Sequence, residues 1–513
     1  MPSLRPAVLY RGKRYVGTSD DTHPDVMKAH DIGPDARHVR GFVNPQGRFL
    51  TRPEAKLWLK QFDPETYKRW TETNDQGARG ELHSEDLQQA EEKPETVSLK
   101  NKTCIVYDLG LWTENARRLA RDCAKVMYFV PWAEAFSEPF KRVIGEGLEG
   151  LTRIDDFWSE VDKADFVFIP DNQCAGITEY LKAHGYPTAG AGNAERIELD
   201  RWYGRGIQEK NGLPVQETYR VKGVTALREF VKSHKNMYVK VDNQFRGIEE
   251  SFKYTDYRDV EPTIDHMAYK LGHPYKESIW FTIEELLDGE EPGLDGITWD
   301  GELLYPTMGG YERKGVGIIE RTYRTEAELP EAIKMIDAGL APEFKKHKTR
   351  FFYSTEFKIG KDRVPYLIDP TIRLAGPGTS AIQSEAIDNY SEVVYGMATG
   401  RKVRPVIRRK YAAACAFHSE EANKAWVNIT VPEKVRQWVK FRRAVRKDED
   451  YYAVPGFDSL GTVVGLGNTV DEAIGLVEDR MKDIDAKRID KGIEQLKQIK
   501  ESIAKGKEYG IDF

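Results

Sequence analysis

Apolar residues in this chain fall into short runs separated by Gly, Pro and Asp turns. From residue 103 they settle into a strand–helix alternation. Thr103–Val106 is a four-residue apolar strand, Thr113–Lys125 carries apolar positions three and four apart, and Val126–Val130 is the next strand. "ADFVFIP" at 164–170 is a buried strand stopped by proline, and Cys174–His184 is a helix stopped by Gly185. Strands alternating with helices predict a parallel α/β sheet that ends near residue 192.

The period then changes. Helices expected over Arg196–Asn211 and Val224–Ser233 are followed by strands at Met237–Val241 and Ser278–Glu284. Gly296–Trp299 and Glu302–Pro306 form a hairpin about Asp300-Gly301, and Phe351–Ile359 and Val364–Ile368 form a second about Gly360-Lys361-Asp362. Beyond 406 the chain alternates strand-like segments (Tyr411–Phe417, Ala425–Thr430, Tyr451–Val454, Thr462–Gly465) with a helix from Val470 to about Ile484. The capping box Thr469-Val470-Asp471-Glu472 opens that helix. A charged, exposed helix is expected over Lys487–Lys507. Before residue 71 the pattern is that of a small α+β module, with apolar runs at Ala7–Tyr10, Gly41–Val43 and Phe49–Leu50 and a helix over Arg52–Phe62 after Thr51. Residues 72–100 are polar and acid-rich, which reads as a linker. The expected division is 1–71, the linker 72–100, then 101–192, 193–405 and 406–513.

Composition narrows the function classes. With 40% apolar and 31% charged residues, the 513-residue chain has an ordinary globular balance. A net charge of −6 argues against a chain that binds nucleic acid as a whole. Four scattered cysteines with no C-x-x-C pair argue against a zinc site or a disulfide framework, so a cytoplasmic setting is expected. No run of 18 apolar residues predicts a membrane span, and the N-terminus has no signal-peptide core.

Candidate chemistry gathers at three places. Glu356 lies on the first strand of the second hairpin, and Asp369, thirteen residues on, ends the second strand. A hairpin of that size sets the two carboxylates side by side. Paired acids of this kind call for a cation, and hard oxygen ligands suit Mg²⁺ carrying nucleotide phosphates. Two solvated surface acids would show the same spacing. Arg373 and the stretch Gly376-Pro377-Gly378-Thr379 follow closely. Lys240 stands inside the apolar strand of "NMYVKVDNQFRG", where a phosphate is a natural partner for the ammonium and an edge-strand lysine is the plain alternative. "FTIEELLDGEEPG" at 281–293 runs from a strand into a turn between acids, the form of a hinge or of a capped strand.

Taken in order, these segments resemble the ATP-grasp superfamily, and within it the phosphoribosylamine–glycine ligase (glycinamide ribonucleotide synthetase) branch. "DNQCAGITEYLKAHGYPTAGAGNAERIELDR", "NGLPVQETYRV", "YVKVD", "IEELLDGEE" and "STEFKIGKDRVPYLIDPTIRLAGPGT" follow the family's order, and "GLGNTVDEA" at 465–473 resembles the branch's C-terminal turn. The resemblance implies a multidomain α/β and α+β chain: a parallel pre-ATP-grasp domain, an ATP-grasp domain of two α+β lobes and a small C-terminal α+β domain, with the N-terminal module as an addition. It implies ATP with Mg²⁺, or Mn²⁺ in its place. The implied reaction is ADP-forming and makes an amide from a small carboxylate and a small amine through an acyl phosphate.

Carried over by position, the resemblance puts Lys240 and Arg205 on the phosphates, Glu284 on the adenine amino group and the backbone of Glu285 and Leu287 in the hinge. Glu291 falls on the ribose, and Glu356, Asp369 and Thr371 on the metal. Arg373 falls on the transferred phosphoryl group, with Arg313 and Lys314 of "GGYERKGVG" in the place of the mobile substrate loop. Thr371 stands where the family has Asn, the loop Asp242–Gly247 has one glycine, and Tyr107-Asp108-Leu109-Gly110 replaces a glycine-rich opening. These departures leave the substrates open. They also leave two alternatives, a catalytically altered ATP-binding protein and a ligase acting on a nucleic-acid-linked group. The basic stretches 401–410 and 436–447, with Trp438 and Phe441 interleaved, are the candidate polyanion surface, against the favoured reading of a solvated helix face. "GRFLTRPEA" at 47–55 resembles short modules of bacteriophage proteins.

Overall fold

A computed structural model of the chain describes residues 4–10, 13–17, 23–30, 32, 38–44, 47–62, 64, 67–68, 97–131, 143–242 and 251–513. The expected linker therefore lies, apart from its last residues, outside the described residues, as does the phosphate loop beyond Asp242. The chain separates into two units, Met1–Thr96 and Val97–Phe513.

The first unit is a four-stranded antiparallel sheet, ordered Lys13–Val16, Arg5–Tyr10, His38–Val43, Phe49–Thr51, with helices His23–Ala29 and Arg52–Phe62. The second helix begins where Glu54 Oε2 accepts from both the Thr51 amide, at 2.8 Å, and the Thr51 hydroxyl, at 2.9 Å. Its buried Ala55 and Leu59 close on Leu4, Phe42 and Leu50.

The second unit opens with a fully parallel five-stranded sheet in the order Leu151–Arg153, Lys125–Phe129, Thr103–Tyr107, Phe166–Phe168, Thr188–Ala189. Helices Thr113–Ala120 and Ala175–Ala183 belong to it. Next comes a four-stranded antiparallel sheet, ordered Thr218–Lys222, Trp280–Glu285, Met237–Val241, Ser251–Tyr254. Helices Val224–Ser233 and Tyr257–Tyr275 bury Val224, Leu227, Val231, Ile264 and Met267 against Val239, Phe281 and Ile283. Largest is a ten-stranded sheet whose path begins Tyr366–Thr371, Arg350–Lys358, Pro292–Trp299, Thr307–Arg313, Gly317–Tyr323. It continues into Tyr411–His418, Ser459–Gly467 and Val439–Phe441 and so runs unbroken across residue 405. No described helix is long and apolar enough to cross a membrane.

Four sequence expectations are corrected. Arg196–Asn211 is two helices, Arg196–Leu199 and Arg201–Lys210, because Asp200 leaves helical geometry and its carboxylate caps the second at the Tyr203 amide (3.0 Å). Helices Tyr257–Tyr275 and Glu331–Lys346 escape the pattern because Pro262 and Pro342 lie inside them. Lys487–Lys507 is not one exposed helix: Asp490–Lys491 pairs with Phe417–His418, and helices Ile493–Lys497 and Ile499–Glu508 follow. The basic stretch 436–447 is no solvated helix either. It runs from the end of the short helix Glu433–Arg436 into strands Val439–Phe441 and Ala444–Lys447, with Arg436 buried against Glu114, Lys440 against Glu385, and Trp438 covered by Arg480. Those cations are already neutralised inside the protein, which argues against a polyanion surface there.

The first hairpin rests on a turn of left-handed residues, Asp300 at φ 54° and Gly301 at φ 92°, with Arg350 clamping Asp300 at 2.9 Å. A Cβ on Gly301 would stand 2.6 Å from the Ala341 carbonyl. Gly301→Val should therefore destabilise the chain by about 1–3 kcal/mol, read as a lower urea midpoint at unchanged m-value.

Candidate functional site

The site is built where the antiparallel sheet of 218–285 meets the edge of the ten-stranded sheet. One cavity of about 390 Å³ opens there. Lys240, Glu284, Glu285, Leu287, Glu291, Lys314, Glu356 and Asp369 all line it.

Lys240 and Glu284 project from neighbouring strands, Met237–Val241 and Trp280–Glu285. Lys240 Nζ lies 3.1 Å from Glu284 Oε2 and donates to the Ile368 carbonyl at 2.8 Å. Arg205, from the helix Arg201–Lys210, meets the other Glu284 oxygen at 2.5 Å and donates to the carbonyls of Leu367 and Ile368. Burial alone would raise the Glu284 carboxyl, but Lys240 and Arg205 overcome it and hold the group down at about 2. Burial lowers Lys240, opposed chiefly by Glu284.

Glu356 and Asp369 are direct cross-strand partners, at a bulge that follows Glu356. Burial and then the Asp369 charge push Glu356 up to about 8, and the Lys314 ammonium, 3.1 Å from its Oε2, partly offsets that rise. Lys314 is itself raised: burial opposes its charge, but Glu356, Asp369 and Glu291 outweigh it. Glu291 ion-pairs with Lys358 at 3.0 Å. Among the described residues no three acids, histidines or cysteines converge as a metal cage. A facing carboxylate pair in an open cavity still suits Mg²⁺, which keeps waters and takes one or two carboxylates plus phosphates.

Several site expectations fall elsewhere. Arg205 does not line the cavity but lies behind Glu284, whose carboxylate is bound to two cations rather than free for a base. Arg373 is held outside the cavity, its Nε 3.1 Å from Glu198 and 3.9 Å from Asp171. Arg313 turns away to Gln498 on the C-terminal side. Thr371 lines a smaller adjoining cavity, together with Glu356. Asp242, the only described residue of the phosphate loop, is bound by Arg220 at 2.5 Å and by the Thr282 hydroxyl at 2.6 Å. The reading missed Arg201, Lys253 and Lys358, cations that also line the cavity. Arg201 was within reach: it lies one helical turn before Arg205, on the same face, and its Nη1 is buried with no hydrogen-bond partner.

No family model matches the sequence, and no curated protein matches it. Solved structures do match in fold, and the fold they share with this chain is that of the ATP-grasp enzymes. One is the phosphoribosylamine–glycine ligase of Thermotoga maritima, at 17% identity and TM-score 0.58, covering 76% of this chain and 98% of that one. The biotin carboxylase domain of the Hydrogenobacter thermophilus 2-oxoglutarate carboxylase, solved with MgADP, ADP and bicarbonate, matches at 12% identity and TM-score 0.56, covering 78% and 94%. An L-amino acid ligase from Bacillus licheniformis matches at 16% identity and TM-score 0.50, covering 75% and 98%.

Because Glu284 is held below its ordinary 4.5, its stabilising effect is complete above that value and is lost as the pH falls toward about 2. Glu284→Gln, which strands two buried cations, should cost about 3–5 kcal/mol at neutral pH. The gap to the parent should narrow steadily below about pH 4, read by urea unfolding across that range.

Proposed function

We propose that this chain is an ATP-dependent carboxylate–amine ligase that forms an amide through an acyl phosphate and releases ADP. The observation that carries the reading is the Glu356–Asp369 pair, opposed across two strands and opening into the same cavity as Lys240 and the 284–288 segment. The shared fold with amide-forming and MgADP-binding enzymes supports it.

In this reading Glu356 and Asp369 hold Mg²⁺, with the Thr371 hydroxyl beside them. Such an ion, when bound, would supply charge neutralisation to the nucleotide phosphates. Lys240, pinned by Glu284 and the Ile368 carbonyl, presents its ammonium to the α- and β-phosphates without having to reorganise. Arg201 and Lys314 front the same space. They take the charge-spreading work that position alone assigned to Arg205, Arg373 and Arg313. The backbone of Glu285 and Leu287 reads the adenine edge, and Glu291 takes the ribose hydroxyls. Glu284 acts on Lys240 rather than on the base. A carboxylate oxygen attacks the γ-phosphorus and ADP leaves. A neutral amine then attacks the acyl carbon, the C–N bond forms as the C–O bond to phosphate breaks, phosphate departs with the bonding electrons, and the nitrogen gives up a proton to the released phosphate. Small-molecule carboxylates and amines fit this reading, and none of it needs a nucleic-acid partner.

The test is Mg²⁺-dependent ADP release over a panel of small carboxylates and amines. Glu356→Gln and Asp369→Asn should each lower it by about 100-fold or more while circular dichroism stays unchanged. Full turnover in either variant would refute the metal assignment. ATP binding with no ADP release for any pair would favour the catalytically altered ATP-binding protein.

A further inference from the structure

Asp242 stands directly after the strand Met237–Val241, two residues beyond Lys240, and is 1% exposed. Its Oδ1 accepts from the Trp202 amide at 3.1 Å and from the Thr282 hydroxyl at 2.6 Å. Its Oδ2 accepts from Arg220 Nε at 2.9 Å and from Arg220 Nη2 at 2.5 Å. The Asp242 carbonyl accepts from the Arg201 amide at 3.0 Å, and the Asp242 amide donates to the Trp280 carbonyl at 2.9 Å. One buried acid thus ties the helix Arg201–Lys210 to the antiparallel sheet of 218–285.

The N–H groups of a helix's first turn have no partners within the helix. Here those of Arg201 and Trp202 go to Asp242, and that of Tyr203 goes to Asp200 at 3.0 Å. Asp200 is the helix's own neighbour in the chain, so it caps the helix without placing it. Asp242 comes from the sheet, so it places the helix start relative to Lys240. Arg201 is the first residue of that helix and lines the large cavity together with Lys240. Its Nη1 is buried with no hydrogen-bond partner, so no protein group fixes that nitrogen, and its place follows from the backbone that carries it. Arg220 in turn holds Asp242. Its guanidinium lies 4.4 Å from the Trp280 ring centroid and 5.5 Å from that of Trp202. It also offsets the Asp242 charge, which would otherwise repel phosphates bound at Lys240.

We propose that Asp242 is a positioning residue for the nucleotide: it locks the start of the helix Arg201–Lys210 onto the end of the Lys240 strand, so that Arg201 and Lys240 meet the phosphates together. Arg220 serves the same purpose one contact further back. The inference rests on the nucleotide-binding part of the ligase reading and not on amide formation.

Calorimetric titration of MgADP into the full chain tests it, as a double-mutant cycle on Asp242 and Arg201. By charge alone, removing an acid beside the phosphates would tighten binding. Asp242→Ala should instead weaken MgADP by about ten-fold, as should Arg201→Ala, and the double variant should lose little more than Arg201→Ala alone, because one residue acts through the other. Unchanged or tighter binding in Asp242→Ala, or losses that multiply in the double variant, would overturn the proposal. If Asp242→Ala does not fold, Arg220→Lys takes its place in the cycle; it keeps the charge and loses only the planar fork, and the same pattern is expected, at about three-fold or more. Multiplying losses or unchanged affinity there would overturn the proposal equally. A parent chain that does not bind MgADP would sink the nucleotide reading and this inference with it. A parent that binds MgADP in the expected pattern but releases no ADP from ATP with any carboxylate and amine would sink the ligase reading alone and leave the role of Asp242 standing.

Discussion

Two cations share one buried carboxylate, and that triad ties the molecule together at its site. Lys240 and Arg205 both hold Glu284, and both also reach across to the backbone of the strand that carries Asp369. The antiparallel sheet of 218–285 and the edge of the ten-stranded sheet are therefore joined by hydrogen bonds made from charge. An unpaired ammonium or guanidinium in this setting would be costly, so each of the three groups makes burial of the other two tolerable. The arrangement also orients Lys240: one partner comes from its own sheet and one from the opposite sheet, which leaves the ammonium facing the cavity.

Beyond the triad, acids and cations alternate along the cleft. Lysines intersperse the acids near Glu291, where Lys314 and Lys358 make ion pairs. At Glu356 the Lys314 ammonium offsets the charge, and Asp369 also faces the cations Lys240 and Arg373. In the proposed reading the cleft has a phosphate-facing part at Lys240 and a metal-holding part at Glu356 and Asp369. The first comes from the antiparallel sheet of 218–285 and the second from the edge of the ten-stranded sheet.

Local pattern was enough for much of the architecture. The helix after Thr51, the helix Val224–Ser233 and the capped helix after Thr469 are written in caps and apolar spacing that need no distant partner. The Asp300-Gly301 turn is likewise local, because its left-handed geometry follows from residue type. Elements failed where a local signal was outweighed, by a competing cap nearby or by a distant contact. Asp200 breaks a helix that the apolar pattern would continue, and packing carries two helices through prolines. The pairing of Asp490–Lys491 with Phe417–His418 interrupts a charged run that looks helical alone.

The candidate site divides in the same way. Residue order alone places Lys240 in an apolar strand, Glu356 and Asp369 on one hairpin, and a cluster of acids around a turn at 288. These are statements about neighbours along the chain or across one short hairpin, where spacing alone sets distance. Only the tertiary structure decided that Glu284 faces two cations, that Arg373 is held by Glu198, that Arg201 rather than Arg205 lines the cavity, and that the basic stretch 436–447 is turned inward. Each of those depends on which buried charge finds which partner across tens or hundreds of residues. Desolvation makes such pairing compulsory, but it does not write the partner's identity into the local sequence.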